Sequence, residues 1–153
     1  MTYTAHVRGA AEYKPFFSAI RRAAVSALRE TQAEPGELTL VLTDEQGMQD
    51  LNRRFAGTEG PTDVLSFPAE LDDPSSGVLY HGDVVIGVPI AAAQAERAGH
   101  TLETELSLLT VHGVLHLTGH DHVVEDDRRR MWARQSAILE LLGYTLEMPK
   151  EQE

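Results

Sequence analysis

The sequence of 153 residues contains no cysteine. This absence excludes disulfide bonds, thiolate zinc clusters, iron–sulfur ligation and a cysteine nucleophile. The chain also has no apolar run near the roughly 20 residues that span a bilayer, and residues 1–10 lack the basic and apolar regions of a signal peptide. We therefore expect a soluble, cytoplasmic protein that makes no membrane contact.

Basic residues are scarce relative to acidic ones. Thirteen Lys and Arg oppose 24 Asp and Glu, which gives a formal net charge of -11. This balance argues against a protein that coats nucleic-acid phosphates broadly, although it leaves room for a local basic groove because the field depends on how charge is distributed. The length and the hydrophobic fraction of 42% indicate one globular domain over residues 1–153, and we expect its tail, residues 146–153, to fray.

Hydrophobic periodicity predicts alternating strands and helices along the chain. Thr43 is predicted to cap a helix that ends at Gly57, with Gln46 completing a capping box. Thr101 is predicted to cap a long helix that is apolar on much of its surface and therefore central. Leu141 is among the residues expected on the apolar side of the last helix. The predicted strands cover residues 3–7, 38–42, 64–67 and 84–88, and further helices cover residues 15–28, 90–98 and 126–142.

Histidine is concentrated in one short segment. His112 and His116 are four residues apart on the long predicted helix, so both imidazoles leave the same helix face. Gly119 follows, and a glycine there can adopt a positive φ and reverse the chain, which brings His122 back over that face. Three neutral imidazoles can bind one Zn²⁺ and leave its fourth position open, as in catalytic zinc sites. The segment thus predicts one zinc ion per chain, although imidazole also suits nickel, copper and iron.

Two alternatives to a catalytic zinc site stay open for the histidine segment. A histidine-rich helix end is favoured by the helix dipole without any metal. The spacing is also that of the metzincin proteases, but Gly113 stands where those enzymes carry their general-base Glu. A peptidase without that base would lack its proton-transfer chemistry, so the pattern favours a metal site with a different reaction.

The sequence resembles the YbeY family of metal-dependent endoribonucleases that mature bacterial ribosomal RNA. The segment from His112 to His122 is similar to the family's His-Gly-x-Leu-His-Leu-x-Gly-x-Asp-His motif, in which His112, His116 and His122 are the metal ligands. Residues 61–68 (PTDVLSFP) and 82–86 (GDVVI) resemble family strands beside the site, and the similarity extends over residues 38–143. It implies an α+β fold, in which a small mixed β-sheet is flanked by helices and a central helix carries the metal-binding histidines.

The resemblance also implies an activity and partners. The expected activity is cleavage of single-stranded ribosomal RNA in maturation of the 3′ end of the small-subunit (16S) RNA, with a role in ribosome quality control. The expected partners are a small-subunit ribosomal protein and an Era-type GTPase. The chain departs from the family where an Arg often follows the aromatic residue that ends the second helix, because Phe55 is followed here by Ala56. Arg53 or Arg54, one turn earlier, is a candidate replacement for contacting RNA.

Further candidates for the reaction carry two interpretations each. Asp121 either orients a metal ligand, which is the favoured role, or acts as a base. Asp83 is either a carboxylate at a strand end in the groove or only a turn residue. Thr62 and Ser66 either donate to phosphate oxygens or bond to the backbone. The basic run at residues 128–130 either binds phosphate or, as such runs more often do, forms a solvated helix face.

Two functions from different classes follow from these observations. The first is a zinc-dependent, single-strand-specific endoribonuclease, which the open three-histidine site favours. The second is a non-enzymatic ribosome assembly or docking factor with a structural metal, which the acidic net charge and the departure at Ala56 favour.

Overall fold

The order of strands and helices follows the predicted alternation. A computed structural model describes residues 2–31, 33–51, 53–54, 63–69, 79–118 and 125–144 of the chain. The strands are β1 (Tyr3–Arg8), β2 (Gly36–Thr43), β3 (Val64–Pro68) and β4 (Tyr80–Gly87). A 3₁₀ helix (Ala11–Phe16) leads into α1 (Phe17–Glu30), and the other helices are α2 (Glu45–Leu51), α3 (Val88–Ala98), α4 (Leu102–Leu117) and α5 (Glu125–Leu141).

The four strands form one mixed sheet in the order β1-β2-β4-β3. Strands β1, β2 and β4 are parallel, whereas β3 runs antiparallel to β4 and pairs Ser66 with Val84. This arrangement confirms the expected α+β fold, with a small mixed sheet flanked by helices. It also leaves β3 at one edge of the sheet, against α4, and β1 at the opposite edge.

Helix α4 is the centre of the domain, as predicted from a pattern that is apolar on much of its surface. It packs against α1, α3, α5 and the strands β3 and β4, and nine of its 16 residues are buried. The predicted cap is present, because Thr101 Oγ1 accepts a hydrogen bond of 3.1 Å from the backbone N–H of Thr104. Any residue whose side chain leaves α4 towards the sheet therefore meets a packed core.

The start of α2 differs from the prediction. Asp44 caps this helix, since its Oδ1 accepts a 2.8 Å hydrogen bond from the backbone N–H of Gly47. Thr43, the predicted cap, is instead the last residue of β2, where it pairs with Gly87 of β4. The sheet pairing extends the strand by one residue beyond the apolar run and moves the cap one position along the chain.

The apolar side of α5 also differs from the prediction at one position. The prediction for Leu141 is wrong, because that residue is 68% exposed. The buried stripe runs through Met131, Gln135 and Ile138, spaced by four and three residues, and Leu141 lies off this line. None of the helices in the described ranges is both long and apolar enough to cross a membrane.

Candidate metal centre

His112 and His116 lie on one face of α4, as their spacing predicts. Their Nε2 atoms are 3.2 Å apart. The ring centroids are 4.8 Å apart and the ring planes are inclined by 72°. Both side chains are half-buried, so two imidazole nitrogens converge on one point beside the helix and remain within reach of solvent.

A cleft of about 420 Å³ opens over the two imidazoles, between the edge strand β3 and α4. A cavity of about 490 Å³ along β1 is larger, but His6 is the only imidazole among the described residues that line it, so it offers no converging pair. The chemistry therefore points to the cleft at β3. The described residues that line this cleft are Asp63, Val64, Leu65, Ser66, Pro68, His112 and His116.

The close approach of α4 to the sheet positions the histidine pair. A Cβ atom at Gly113 would lie 2.5 Å from Cγ1 of Val84 and 3.3 Å from Cγ2 of Val64, so the observed packing requires glycine. The hydroxyl of Ser66 donates a 2.9 Å hydrogen bond to the carbonyl oxygen of Gly113, which ties the cleft wall to the helix. The contact with the sheet leaves no space at residue 113 for the Glu of the protease pattern.

The histidine pair fits a tetrahedral metal ion. Two nitrogen ligands at about 2.0–2.1 Å from one tetrahedral ion stand about 3.3–3.4 Å apart, and the observed separation of the two Nε2 atoms is 3.2 Å. No group of three His, Cys, Asp or Glu forms a candidate metal site among the residues that the structure describes. His122, the predicted third ligand, lies outside those residues, so its role stays a prediction.

Asp83 does not belong to the cleft. It lies within β4, not at a strand end or in a turn. Its neighbour Val84 points at Gly113 of α4, so the alternation of the strand directs Asp83 to the opposite face of the sheet. There the hydroxyl of Tyr80 donates a hydrogen bond to Asp83 Oδ1. Both interpretations of Asp83 from the sequence, groove carboxylate and turn residue, are therefore wrong.

The environment of Tyr80 keeps this hydrogen bond in place. Burial, followed by the hydrogen bond to Asp83, raises the pKa of Tyr80 above its ordinary value. A phenol of ordinary pKa, about 10, is already protonated at neutral pH, and the raised pKa keeps this hydroxyl a donor in more alkaline solution. The Asp83 carboxylate is thus engaged in the sheet on the face away from the histidine pair.

The structure does not bring Arg53 and Arg54 to the cleft. Both side chains are exposed just after the end of α2, and neither is among the described residues that line the cleft. Ser66 does line the cleft. Its hydroxyl donates to the backbone carbonyl of Gly113, which agrees with the second interpretation of Ser66, a hydroxyl bonded to the backbone. The predictions for Thr62, Ala56 and Asp121 concern residues outside the described ranges.

Gln135 of α5 is a site residue that the sequence interpretation missed. Its Oε1 atom lies 3.0 Å from Nδ1 of His112, and only 1% of the residue is exposed. Trp132, one turn earlier on α5, is half-buried and its ring centroid is 6.2 Å from that of His112. The signal was present in the sequence, because Gln135 interrupts the apolar stripe between Met131 and Ile138, and a polar residue in such a stripe needs a buried partner.

The fold and the site together define a class of protein: an α+β domain whose central helix presents two converging imidazole nitrogens to a cleft at a sheet edge. A sequence model of the protein family described as endoribonuclease YbeY matches residues 6–143 of this chain. The chain belongs to the YbeY family, which confirms the resemblance of its motifs.

Curated relatives agree with this assignment, and a solved structure shares the fold. Endoribonuclease YbeY of Gloeobacter violaceus is 47% identical over 117 residues, which cover 74% of this chain and 60% of the relative. The protein of the same name from Mycobacterium sp. strain KMS is 48% identical over 111 residues, covering 68% and 63%. The chain thus spans about three fifths of the length of these relatives. The solution structure of TM1509 from Thermotoga maritima, 24% identical, matches 90% of this chain and 88% of that one with a TM-score of 0.64, which shows the same fold.

Proposed function

We propose that this protein is a zinc-dependent endoribonuclease that cuts single-stranded RNA in maturation of the 3′ end of the small-subunit (16S) ribosomal RNA and in ribosome quality control. The observation that carries the proposal is the convergence of the His112 and His116 Nε2 atoms, 3.2 Å apart, in the cleft beside β3. The name endoribonuclease YbeY, which the relatives carry, supports RNA as the class of substrate.

One Zn²⁺ ion per chain would be held by His112 and His116 together with His122. When bound, zinc supplies Lewis acidity, which polarises a phosphoryl oxygen and lowers the pKa of a water molecule towards about 7. Neutral imidazoles leave the ion its full positive charge, so the ion would attract an anionic phosphodiester even though Asp63 lines the cleft and the chain has a net charge of -11. Asp121 would orient one of the imidazoles.

The walls of the cleft support a single strand as the substrate. Its volume of about 420 Å³ lies in the range of roughly 300–1,000 Å³ typical of small-ligand sites, which suits one or two nucleotides of a flexible strand. Thr62 would hold a neighbouring phosphate, and Arg53 or Arg54, which are exposed outside the cleft, would contact phosphates further along the strand. Ser66, whose hydroxyl hydrogen is directed to Gly113 O, would instead keep β3 against α4.

The proposed setting of this activity is the cytoplasm, on the small ribosomal subunit or its precursor. Membership of the YbeY family supports this setting. A small-subunit ribosomal protein and an Era-type GTPase are the proposed partners. Contact with such partners would bring the RNA 3′ end to the cleft, which compensates for the shortage of basic residues in the chain as a whole.

The experiment that tests the proposal compares two RNAs and three metal states. The purified chain is incubated with a labelled RNA that carries the 3′ end of precursor small-subunit RNA, either as a single strand or annealed to its complement. We expect cleavage of the single strand only, loss of cleavage after chelation, and recovery on addition of Zn²⁺. Equal cleavage of both RNAs, or cleavage that survives chelation, would contradict the proposal. A chain that loses thermal stability on chelation but never cuts RNA would support the assembly factor instead.

A further inference from the structure

Gln135 is a buried polar residue with a specific partner. Only 1% of it is exposed, and a buried amide needs hydrogen-bond partners to offset the loss of water. Its side-chain oxygen lies 3.0 Å from Nδ1 of His112. An amide oxygen can only accept, so the hydrogen of this bond belongs to His112 Nδ1.

The position of that hydrogen fixes the state of the other ring nitrogen. A neutral imidazole carries one N–H, and the hydrogen bond made by one nitrogen decides which of the two holds it. With the hydrogen on Nδ1, the Nε2 atom of His112 keeps its lone pair. That lone pair lies on the side of His116 Nε2, which is 3.2 Å away. A cation bound by both histidines would have to be contacted on this side.

We propose that Gln135 is a positioning residue that holds His112 in the Nδ1–H tautomer and in the ring orientation required for binding a divalent cation through Nε2. This inference rests on the proposed function, because it concerns the same site. Gln135 lies on α5, whereas the histidine pair lies on α4. The packing of α5 against α4 therefore fixes the orientation of the His112 ring as well as closing the core.

The choice of an amide over a carboxylate has a consequence for the substrate. Partners of metal-bound histidines are carboxylates, backbone carbonyls or waters, and a carboxylate adds a negative charge next to the cation. Gln135 supplies an accepting oxygen without that charge. The cation would keep more of its attraction for phosphate, which matters in a chain that carries 24 acidic residues.

The test uses two substitutions at this position and one matched control. Gln135→Met keeps an unbranched side chain of similar shape but removes the acceptor, whereas Gln135→Glu keeps an acceptor at the same place. Gln49→Met is the control, because Gln49 is a half-buried glutamine on α2 that is not among the described residues lining the cleft. For each full-length variant, ¹⁵N NMR of the metal-free protein in alkaline buffer reports the His112 tautomer, and competition with a chromogenic chelator gives the Zn²⁺ affinity.

We expect Gln135→Met to shift His112 away from the Nδ1–H tautomer and to weaken Zn²⁺ binding about 10–100-fold, the range for loss of such a partner. Gln135→Glu should restore both the tautomer and the affinity, but should raise the KM for RNA because it adds negative charge. Gln49→Met should leave the tautomer and the affinity unchanged. If Gln135 has a purely structural role, the Zn²⁺ affinity of each variant should change only as its melting temperature changes. If Gln135 positions His112, the Glu variant should restore the tautomer and the affinity whatever its melting temperature.

The outcomes separate this inference from the proposed function. If wild-type His112 carries its hydrogen on Nε2 in the metal-free protein, or if Gln135→Met leaves both the tautomer and the affinity unchanged, Gln135 has no positioning role even though the chain binds zinc and cuts RNA. If the wild-type chain binds no Zn²⁺, the proposed metal centre is wrong, and the NMR measurement still decides the tautomer. Should Gln135→Met fail to fold, the wild-type spectrum and Gln135→Glu decide the question.

Discussion

Replacing His116 by alanine is expected to remove zinc binding and, with it, cleavage of RNA. The variant loses one of the two nitrogens that the structure brings to 3.2 Å from each other. Loss of a hydrogen-bond partner of a metal ligand typically costs about 10–100-fold in affinity, and the loss of a ligand itself should exceed about 100-fold. Because the proposed chemistry depends on the cation, the rate of RNA cleavage should fall at least as far.

The measurement for His116→Ala is zinc affinity by chelator competition, together with the rate of single-strand cleavage. His6→Ala is the matched control, since His6 lies on β1 at the far edge of the sheet and contacts Glu37 at 2.8 Å. The control should keep wild-type affinity and rate. A His116→Ala protein that is folded, binds zinc as wild type does and cuts RNA at an unchanged rate would refute the proposed site.

A second large effect is expected at Gly113, where glutamate should unfold or nearly unfold the domain. A Cβ atom there would lie 2.5 Å from Cγ1 of Val84, and overpacking of this kind costs about 1–3 kcal/mol. The carboxylate would follow into the buried space between α4 and the sheet, where an unpaired charge costs several kcal/mol more. The gain in helix propensity from removing glycine, at most about 1 kcal/mol, is too small to offset these costs.

Urea unfolding of Gly113→Glu, Gly113→Ala and wild type tests this prediction. We expect the Glu variant to lose more than about 4 kcal/mol, a large part of the roughly 5–15 kcal/mol by which domains are stable, and the Ala variant to lose less because it adds no charge. Ala93→Glu, which introduces the same side chain at an exposed position of α3, should change stability by no more than about 0.5 kcal/mol. A stable Gly113→Glu protein would mean that α4 does not pack against the sheet as described.

The elements that the sequence predicts well are those governed by local or repeating signals. The cap at Thr101 is confirmed because its hydroxyl bonds to the N–H three residues later, an interaction within one turn. The central position of α4 follows from apolar residues that cover much of its surface. The α+β fold follows from the family resemblance, since the sheet order β1-β2-β4-β3 depends on contacts between distant segments that periodicity does not contain.

The residues that the sequence predicts poorly are those whose role depends on a neighbouring element. In the sequence Asp83 suits a groove and a turn equally well, but its direction is set by its register within β4 and by the packing of Val84 on α4. Gln135 acquires its partner only when α5 packs on α4. In the sequence Gly113 is only a departure from the protease pattern. The short distance from a Cβ atom at residue 113 to Val84 shows that the packing of α4 on the sheet leaves no space for a larger residue.

The decisive measurement for the metal centre is the zinc-edge X-ray absorption spectrum of the purified full-length chain. We predict one zinc ion per chain, surrounded by three imidazole nitrogens at about 2.0–2.1 Å and one oxygen from water or phosphate at the remaining position. A zinc ion with a fourth protein ligand would point to a closed, structural site. A chain that binds no zinc, or binds it with fewer than two imidazoles, would contradict the convergence of His112 and His116 as a metal centre.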